Sequence, residues 1–180
     1  SFFLVFFSFQ FFDKNQNSIY NFDNSGKQII KNNLNFPQYV RNSYYDEINN
    51  YLLFVANGYN TNYLSETNDT LIVSKYDPTK NSILWIQKIN IKGKVIDILK
   101  FDTTFHLIAN FTHIKYQENQ IQSNQNSIID IVINENGKII DFVQINKPEE
   151  KQFYAISVSK IDNQSFILFA TQNQTNIYNT

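Results

Sequence analysis

The chain has 180 residues, 42% of them hydrophobic, which is enough to bury a core of its own. The formal net charge is −1 and Arg41 is the single arginine, so the composition argues against a nucleic-acid surface, which needs a basic patch. The lack of cysteine excludes disulfides and thiolate metal sites, but it does not decide the compartment.

The first twelve residues, SFFLVFFSFQFF, form an apolar segment. Their pattern matches the apolar runs at residues 51–56 and 165–170, so we expect residues 1–12 to be the last strand of a preceding structural unit. The core of a secretory signal peptide is the alternative. The segment is too short to cross a bilayer, and we expect no transmembrane segment in this stretch.

Aspartate or asparagine heads a turn at six places, in two series with intervals of roughly 55 to 60 residues. The first series is Asp23, Asp77 and Asn134, and the second is Asp46, Asp102 and Asp162. Such side chains stabilise turns by hydrogen bonding their own backbone, and the segments between them show no helical periodicity. The spacing predicts four-stranded all-β units at residues 17–67, 68–125 and 126–180.

Residues 70–88, TLIVSKYDPTKNSILWIQK, carry the clearest strand–turn–strand pattern. Residues 83–86 are apolar at every position, which predicts a strand buried on both faces. We expect Trp85, the single tryptophan, to pack between neighbouring sheets. Further along, the polar residues 115–126 predict a long loop.

The segment KYDPTKNSILWIQK, residues 75–88, resembles the signature of the seven-bladed β-propeller repeat family and is similar to repeats of quinoprotein-like propellers. Asp77 matches the turn aspartate of the signature and Trp85 its docking tryptophan, whereas Asn81 stands where the family has glycine. The resemblance implies a β-propeller-like array of four-stranded antiparallel blades. Because propellers close with four to eight blades, the three blades' worth of strands here imply part of a larger propeller, or one that a partner completes.

Motifs for metal or cofactor chemistry are missing from the sequence. Residues 13–26 imitate calcium loops but lack the closing glutamate of such loops. His106 and His113 have no cluster of acidic residues or cysteines beside them, and no phosphate loop, nucleophile elbow or zinc-protease motif occurs. We therefore expect no metal and no cofactor.

Two classes of function fit this sequence. The favoured one is a non-enzymatic binding or scaffold propeller that presents loops and blade faces to a protein or glycan partner, or to the rest of its own longer chain. The alternative is an enzyme propeller, a quinone-dependent oxidoreductase or a carbohydrate hydrolase. Its candidate acid/base residues would be Asp97, Asp130 and Asp141, since such chemistry needs paired carboxylates.

Four sequons for N-glycosylation occur, at Asn68, Asn110, Asn163 and Asn173. Chance predicts roughly this number, because asparagine is abundant here, as in the genome-wide composition bias of some protists. The propeller-repeat resemblance implies an extracellular or cell-surface location, and an intracellular assembly is the alternative.

Overall fold

The structure is a computed structural model that describes residues 10–13, 18–22, 25, 27–33, 38–46, 48–58, 70–145 and 153–172. The regular structure of these residues is entirely β, without a helix. They form the strands β1 (Gln10–Asp13), β2 (Ser18–Phe22), β3 (Gln28–Asn33), β4 (Gln38–Asp46), β5 (Tyr51–Gly58), β6 (Thr70–Asp77), β7 (Ser82–Phe101), β8 (Thr104–Tyr116), β9 (Asn119–Asn134), β10 (Ile139–Gln144), β11 (Phe153–Lys160) and β12 (Phe166–Gln172).

The strands form three antiparallel sheets in which each strand pairs with its neighbour in the chain. The strands β1 to β3 form one sheet, β4 to β10 a sheet of seven strands, and β11 and β12 a hairpin. The prediction of an all-β, antiparallel chain is therefore confirmed. Asp23, Asn68, Asn173 and residues 1–9 lie outside the described residues.

The seven-stranded sheet curls into a half-barrel because its longest strand, β7, changes partner along its length. Up to Asn90 this strand pairs with β6, and from Asn90 onwards it pairs with β8, with bulges near Gly93 and Val95. Bulges bend a strand and increase its twist. A Cβ atom on Gly93 would lie 2.2 Å from the carbonyl oxygen of Asn110, so the close approach of β7 and β8 at the bend requires glycine.

The main core lies on the inner face of this curl. Leu53, Val73, Phe105 and Ile131, from four different strands, are all completely buried there. All residues at positions 51–56 and 71–76 are buried, so both faces of β5 and β6 are covered. This burial of apolar side chains supplies the main driving force for the curl.

The hairpin β11–β12 packs on the outer face of the large sheet. Its Ala155 and Val158 form a second core with Leu99 and Ile108. The side chain of Asn110 joins the two layers, since its Nδ2 donates to the carbonyl of Ala155 at 3.0 Å and its Oδ1 accepts from the amide of the same residue at 2.8 Å.

The predicted boundaries of the repeat units do not coincide with sheet boundaries. Strand β5 pairs with β6 across the predicted boundary at residues 67/68, and β9 runs through the boundary at residues 125/126. The described strands thus form a continuous sheet of seven, and blades of four strands are not confirmed. Because antiparallel strands can be joined by short hairpins, successive strands pair across the predicted unit boundaries and extend the same sheet.

Two local predictions were wrong. Residues 115–126, expected to be a loop, belong to β8 and β9, which reverse at Gln117 with φ 54°. Ile114 and Ile121 face each other across this hairpin and pack on the core. A few apolar residues among many polar ones were therefore enough to form strands here. Residues 83–86 are not buried on both faces, because Leu84 is 48% exposed and Ile86 46% exposed.

Candidate functional site

The turn between β6 and β7 is built by side chains within six residues of one another. The Oδ1 atom of Asp77 accepts from the amides of Thr79 at 2.9 Å and Lys80 at 3.2 Å, and also from the Thr79 hydroxyl. The hydroxyl bond is the main cause that lowers the pKa of Asp77 to about 2. Asn81 adopts φ 50°, and its Oδ1 accepts the hydroxyl of Tyr76 at 2.7 Å.

The turn between β4 and β5 repeats this arrangement position by position. Asp46 accepts from the amides of Ile48 and Asn49 at 3.0 Å, Asn50 adopts φ 49°, and Tyr45 donates to the side chain of Asn50 at 2.9 Å. The shared sequence pattern is Tyr-Asp followed by three residues and Asn. The sequence analysis instead grouped Asp77 with Asp23 and Asn134, and so it missed that the turns headed by Asp46 and Asp77 are the matching pair.

Three more of the predicted turn residues lie in described turns, which are held by different means. Asn134 accepts from the amides of Asn136 and Lys138, and Asp162 accepts from the amide of Gln164, which lowers the pKa of Asp162. Asp102 adopts φ 42° in the short turn between β7 and β8.

Four charged side chains meet at one end of the half-barrel, and we call them the mouth cluster: Asp46, Lys75, Lys100 and Glu135. Lys100 contacts Asp46 at 2.6 Å and Glu135 at 2.9 Å, and Lys75 forms an ion pair with Glu135. Both ammonium groups also lie over the ring of Tyr51, at 3.9 and 5.1 Å from its centroid. The cluster is electrically neutral and connects strands β4, β6 and β7 with the turn after β9.

The ion pairs outweigh burial in setting the charge states of the cluster. Burial alone would raise the pKa of Asp46, but hydrogen bonds from Lys100 and Asn49 hold it well below its usual value. For Glu135, Lys75 and Lys100 likewise overcome the effect of burial and lower the pKa. Burial opposes the charge of Lys100 too, yet its bonds to Asp46, Tyr51 and Glu135 raise its pKa. All three groups are therefore ionised at neutral pH.

Trp85 connects β7 to the turn after β9 beside this cluster. Its Nε1 donates to the carbonyl of Glu135 at 2.9 Å, and its ring lies so close to Gly137 that a Cβ atom there would approach to 2.6 Å. Trp85 also packs near the ring of Phe105, at a centroid distance of 6.5 Å. It thus joins two parts of one curled sheet, whereas the sequence predicted a position between neighbouring sheets.

The strand register places the three candidate acid/base residues on one face of the large sheet, but each carboxylate is hydrogen bonded to a different neighbour. Asp97 accepts from the amide of Ile98 at 2.7 Å, and Asp141 accepts from the amide of Phe142 at 2.8 Å. Each of these carboxylates therefore caps the next amide along its own strand. Neither of the two described cavities is lined by more than one of the three candidates.

Asp130, the third candidate, forms a hydrogen-bonded chain with His106 and Thr104. Its Oδ2 lies 2.7 Å from Nδ1 of His106, whose Nε2 lies 3.1 Å from the hydroxyl of Thr104. The hydroxyl of Thr104 also donates to the carbonyl of Phe101 at 3.0 Å. The sequence analysis treated His106 as lacking a carboxylate neighbour, because its partner lies 24 residues away on the adjacent strand. His113, also on β8, is half-buried.

The larger of the two cavities lies beside β10, and we call it the edge cleft. It has a volume of about 340 Å³ and is lined by Tyr116, Gln117, Ile121, Ile139, Ile140, Asp141 and Phe142. The rings of Tyr116 and Phe142 form one wall, with centroids 5.9 Å apart. A second depression of about 290 Å³ adjoins the mouth cluster, between the two matching turns.

The glycosylation candidates differ in their surroundings. Asn163 is exposed in the turn of the β11–β12 hairpin, where its Oδ1 accepts from Lys160 at 3.1 Å. The amide of Asn110 is committed to the backbone of Ala155 through both of its polar atoms. A glycan on Asn110 would have to break this contact between the two layers.

Within the described ranges, no group of three or more His, Cys, Asp or Glu residues could hold a metal ion. Nor does this part of the chain contain a helix long and apolar enough to span a membrane. Neither a protein-family model, nor a curated protein, nor a solved structure matches the chain.

Proposed function

We propose that this protein is a non-enzymatic scaffold that binds a protein partner through its exposed strands. The observation that carries the proposal is the edge of β10, which no described strand covers and where the exposed Ile140 lines the edge cleft. Recognition sites of this kind combine an apolar pocket with a few polar groups. A protein is favoured over a glycan because this strand edge offers backbone hydrogen-bonding groups, and Ile140, Val143 and Ile145 along it are exposed aliphatic residues.

The carboxylates support a structural role rather than catalysis. Asp46 and Asp77 hold turns, Asp97 and Asp141 cap strand amides, and Asp130 is bound to His106. The competing proposal, an enzyme, draws on one observation, the chain from Thr104 through His106 to Asp130. A hydroxyl, an imidazole and a carboxylate in this order are the elements of nucleophilic catalysis.

A β-propeller architecture is the finer part of the proposal. The packing of β11–β12 on the outer face of the large sheet supports it, because neighbouring propeller blades cover one another in this way. The seven strands of the large sheet exceed the four of a blade. A crystal structure of the native assembly is the test: sheets stacked face to face around a central axis are expected, and closure of the seven strands into a barrel would refute the architecture.

The scaffold proposal is tested by comparing binding with turnover. Purified protein is screened against a library of displayed peptides and a glycan array, and in parallel for quinone absorbance and for release of reducing sugars from polysaccharides. Saturable peptide binding without turnover is expected. Turnover that is lost in His106→Gln would establish an enzyme and overturn the scaffold, and exclusive binding of glycans would overturn the choice of a protein partner.

The location proposed for this scaffold is extracellular or at the cell surface. The propeller-repeat resemblance and the exposed sequon at Asn163 support it. A glycan on Asn163 in the native protein is the expected result, and an intracellular assembly remains the competing proposal.

A further inference from the structure

Strand β10 is the last strand of the large sheet. No described strand pairs with the edge of β10 that faces away from β9. The amide of Ile145 donates to the carbonyl of Ile128 at 2.9 Å, which fixes the phase of the hydrogen-bond ladder with β9. Because bonded and non-bonded pairs alternate in antiparallel sheets, Phe142 and Gln144 point their backbone N–H and C=O groups away from β9. No described strand occupies these groups, so an added strand could bind them.

One of the available donors carries a cap. The amide of Phe142 donates to the side chain of Asp141, the residue before it, at 2.8 Å. The same device occurs on the half of β7 that has left β6, where Asp97 takes the amide of Ile98 and Asn42 donates to the carbonyl of Ile96. On this half of β7, strand β4 also covers the edge through Asn42. On β10 the cap comes from an exposed side chain, which can swing aside at little cost.

The edge cleft adjoins these available groups. Tyr116, Ile121, Ile139 and Phe142 line it with apolar surface, at the point where a side chain of an added strand would enter. Among the described residues that line the cleft, Asp141 is the only one with a formal charge. Strand addition draws affinity from main-chain hydrogen bonds and specificity from pockets of this kind. The negative charge favours a basic neighbour on the incoming chain.

We propose that β10 binds an extended peptide by strand addition, with an apolar side chain in the edge cleft and a basic side chain on Asp141, which caps the edge in the free protein. This inference rests on the proposed scaffold function and names its partner class. Binding replaces the bond from the Phe142 amide to Asp141 by one to a peptide carbonyl. The released carboxylate then pairs with the lysine or arginine of the peptide.

The test uses the full chain and a fluorescent acetylated octapeptide that alternates threonine with valine and carries one lysine. Two further peptides serve as probes: one is N-methylated at alternate amides, which removes strand pairing but keeps the side chains, and one has glutamate in place of lysine. Fluorescence anisotropy is expected to show about tenfold weaker binding of either derivative. Equal binding of the N-methylated peptide would overturn strand addition.

Substitutions at Asp141 separate the cap from the charge. Asp141→Asn keeps an oxygen for the Phe142 amide, so it should abolish the preference for lysine over glutamate without tighter binding. Asp141→Ala removes the cap as well and should bind a lysine-free peptide several-fold more tightly. Asp97→Ala, which removes the equivalent cap on β7, is the matched control and should leave peptide affinity unchanged. If Asp141→Ala leaves the affinity for the lysine-free peptide unchanged, the cap is refuted.

A block at the edge completes the test. Gln144→Pro removes an amide that faces away from β9, which an edge strand tolerates, and it should abolish peptide binding while circular dichroism stays that of the wild type. Light scattering distinguishes a peptide from a second copy of the chain as the partner of β10. If Asp141→Ala forms a dimer that the peptide does not dissociate, the partner is a second copy, and the proposal of a peptide partner is refuted. If displayed peptides bind the protein but Gln144→Pro does not affect them, this inference fails while the scaffold function stands. Turnover in the enzyme assays would refute the scaffold itself.

Discussion

Replacing Lys100 by methionine tests whether the mouth cluster holds the curled sheet together. Lys100 is 13% exposed and its partner Asp46 only 6%, so the substitution leaves a nearly buried carboxylate without its cation. Breaking a buried ion pair from one side costs about 3 to 5 kcal/mol. Because the second partner, Glu135, is 31% exposed and keeps Lys75, we expect the lower end, about 3 kcal/mol at pH 7.

The loss should depend on pH with a defined sign. The pKa of Asp46 in the folded protein lies below its value in the unfolded chain, so its contribution to stability is present above the unfolded pKa, roughly 4. That contribution is lost as the pH falls through the folded pKa. The wild type should therefore lose stability below about pH 5, and Lys100→Met should lose less, so that the difference between them narrows towards pH 2.

Urea unfolding at pH 7 and pH 3 measures both effects. Lys80→Met is the matched control, because Lys80 pairs with Asp77 at 3.1 Å but is 72% exposed, and it should cost less than about 1 kcal/mol. If Lys100→Met costs no more than Lys80→Met at pH 7, or if the cost is the same at both pH values, the mouth cluster does not stabilise the curl as argued.

Three further predictions follow from the described contacts. Trp85→Ala should lower the unfolding free energy by about 3 kcal/mol, since it removes a large ring and the bond to the carbonyl of Glu135, and a loss below about 1 kcal/mol in urea titration would contradict its role in connecting β7 to the turn after β9. Tyr76→Phe should cost about 1 kcal/mol by the same titration, because Asn81 loses its hydroxyl partner, and an unchanged midpoint would show that the bond is not formed. Peptide mapping by mass spectrometry of the native protein should find a glycan on Asn163, and an unmodified asparagine there would argue for an intracellular location.

The sequence predicted the structure best where the interacting residues are close together in the chain. Asp77 and Asp162 were predicted to head turns because their bonding partners lie two or three residues ahead, and the structure places those bonds. Residues 83–86 show the opposite case, since an apolar run does not reveal whether a neighbouring layer covers it. Leu84 is half exposed, while β5 and β6, which carry no clearer signal, are buried on both faces.

The candidate site was predictable to a smaller extent. The sequence suggested Asp97, Asp130 and Asp141 as carboxylates for chemistry, but it could not say what each would contact. The role of Asp130 depends on the register of β8 against β9, which brings His106 beside it. Nothing local marks Lys75, Lys100 and Glu135 as a group, apart from charged residues within largely apolar strands.

By itself, the sequence determined the all-β, antiparallel class and several of the Asp-headed turns, because these depend on backbone preference and on hydrogen bonds that close within a few residues. Only the tertiary structure decided that seven described strands form one curled sheet, that Trp85 bonds the turn after β9, and that no described strand covers the edge of β10. These features depend on contacts between residues distant in the chain, such as that of Gly93 with Asn110. A shift of one residue in the register of such strands would turn every side chain to the other face.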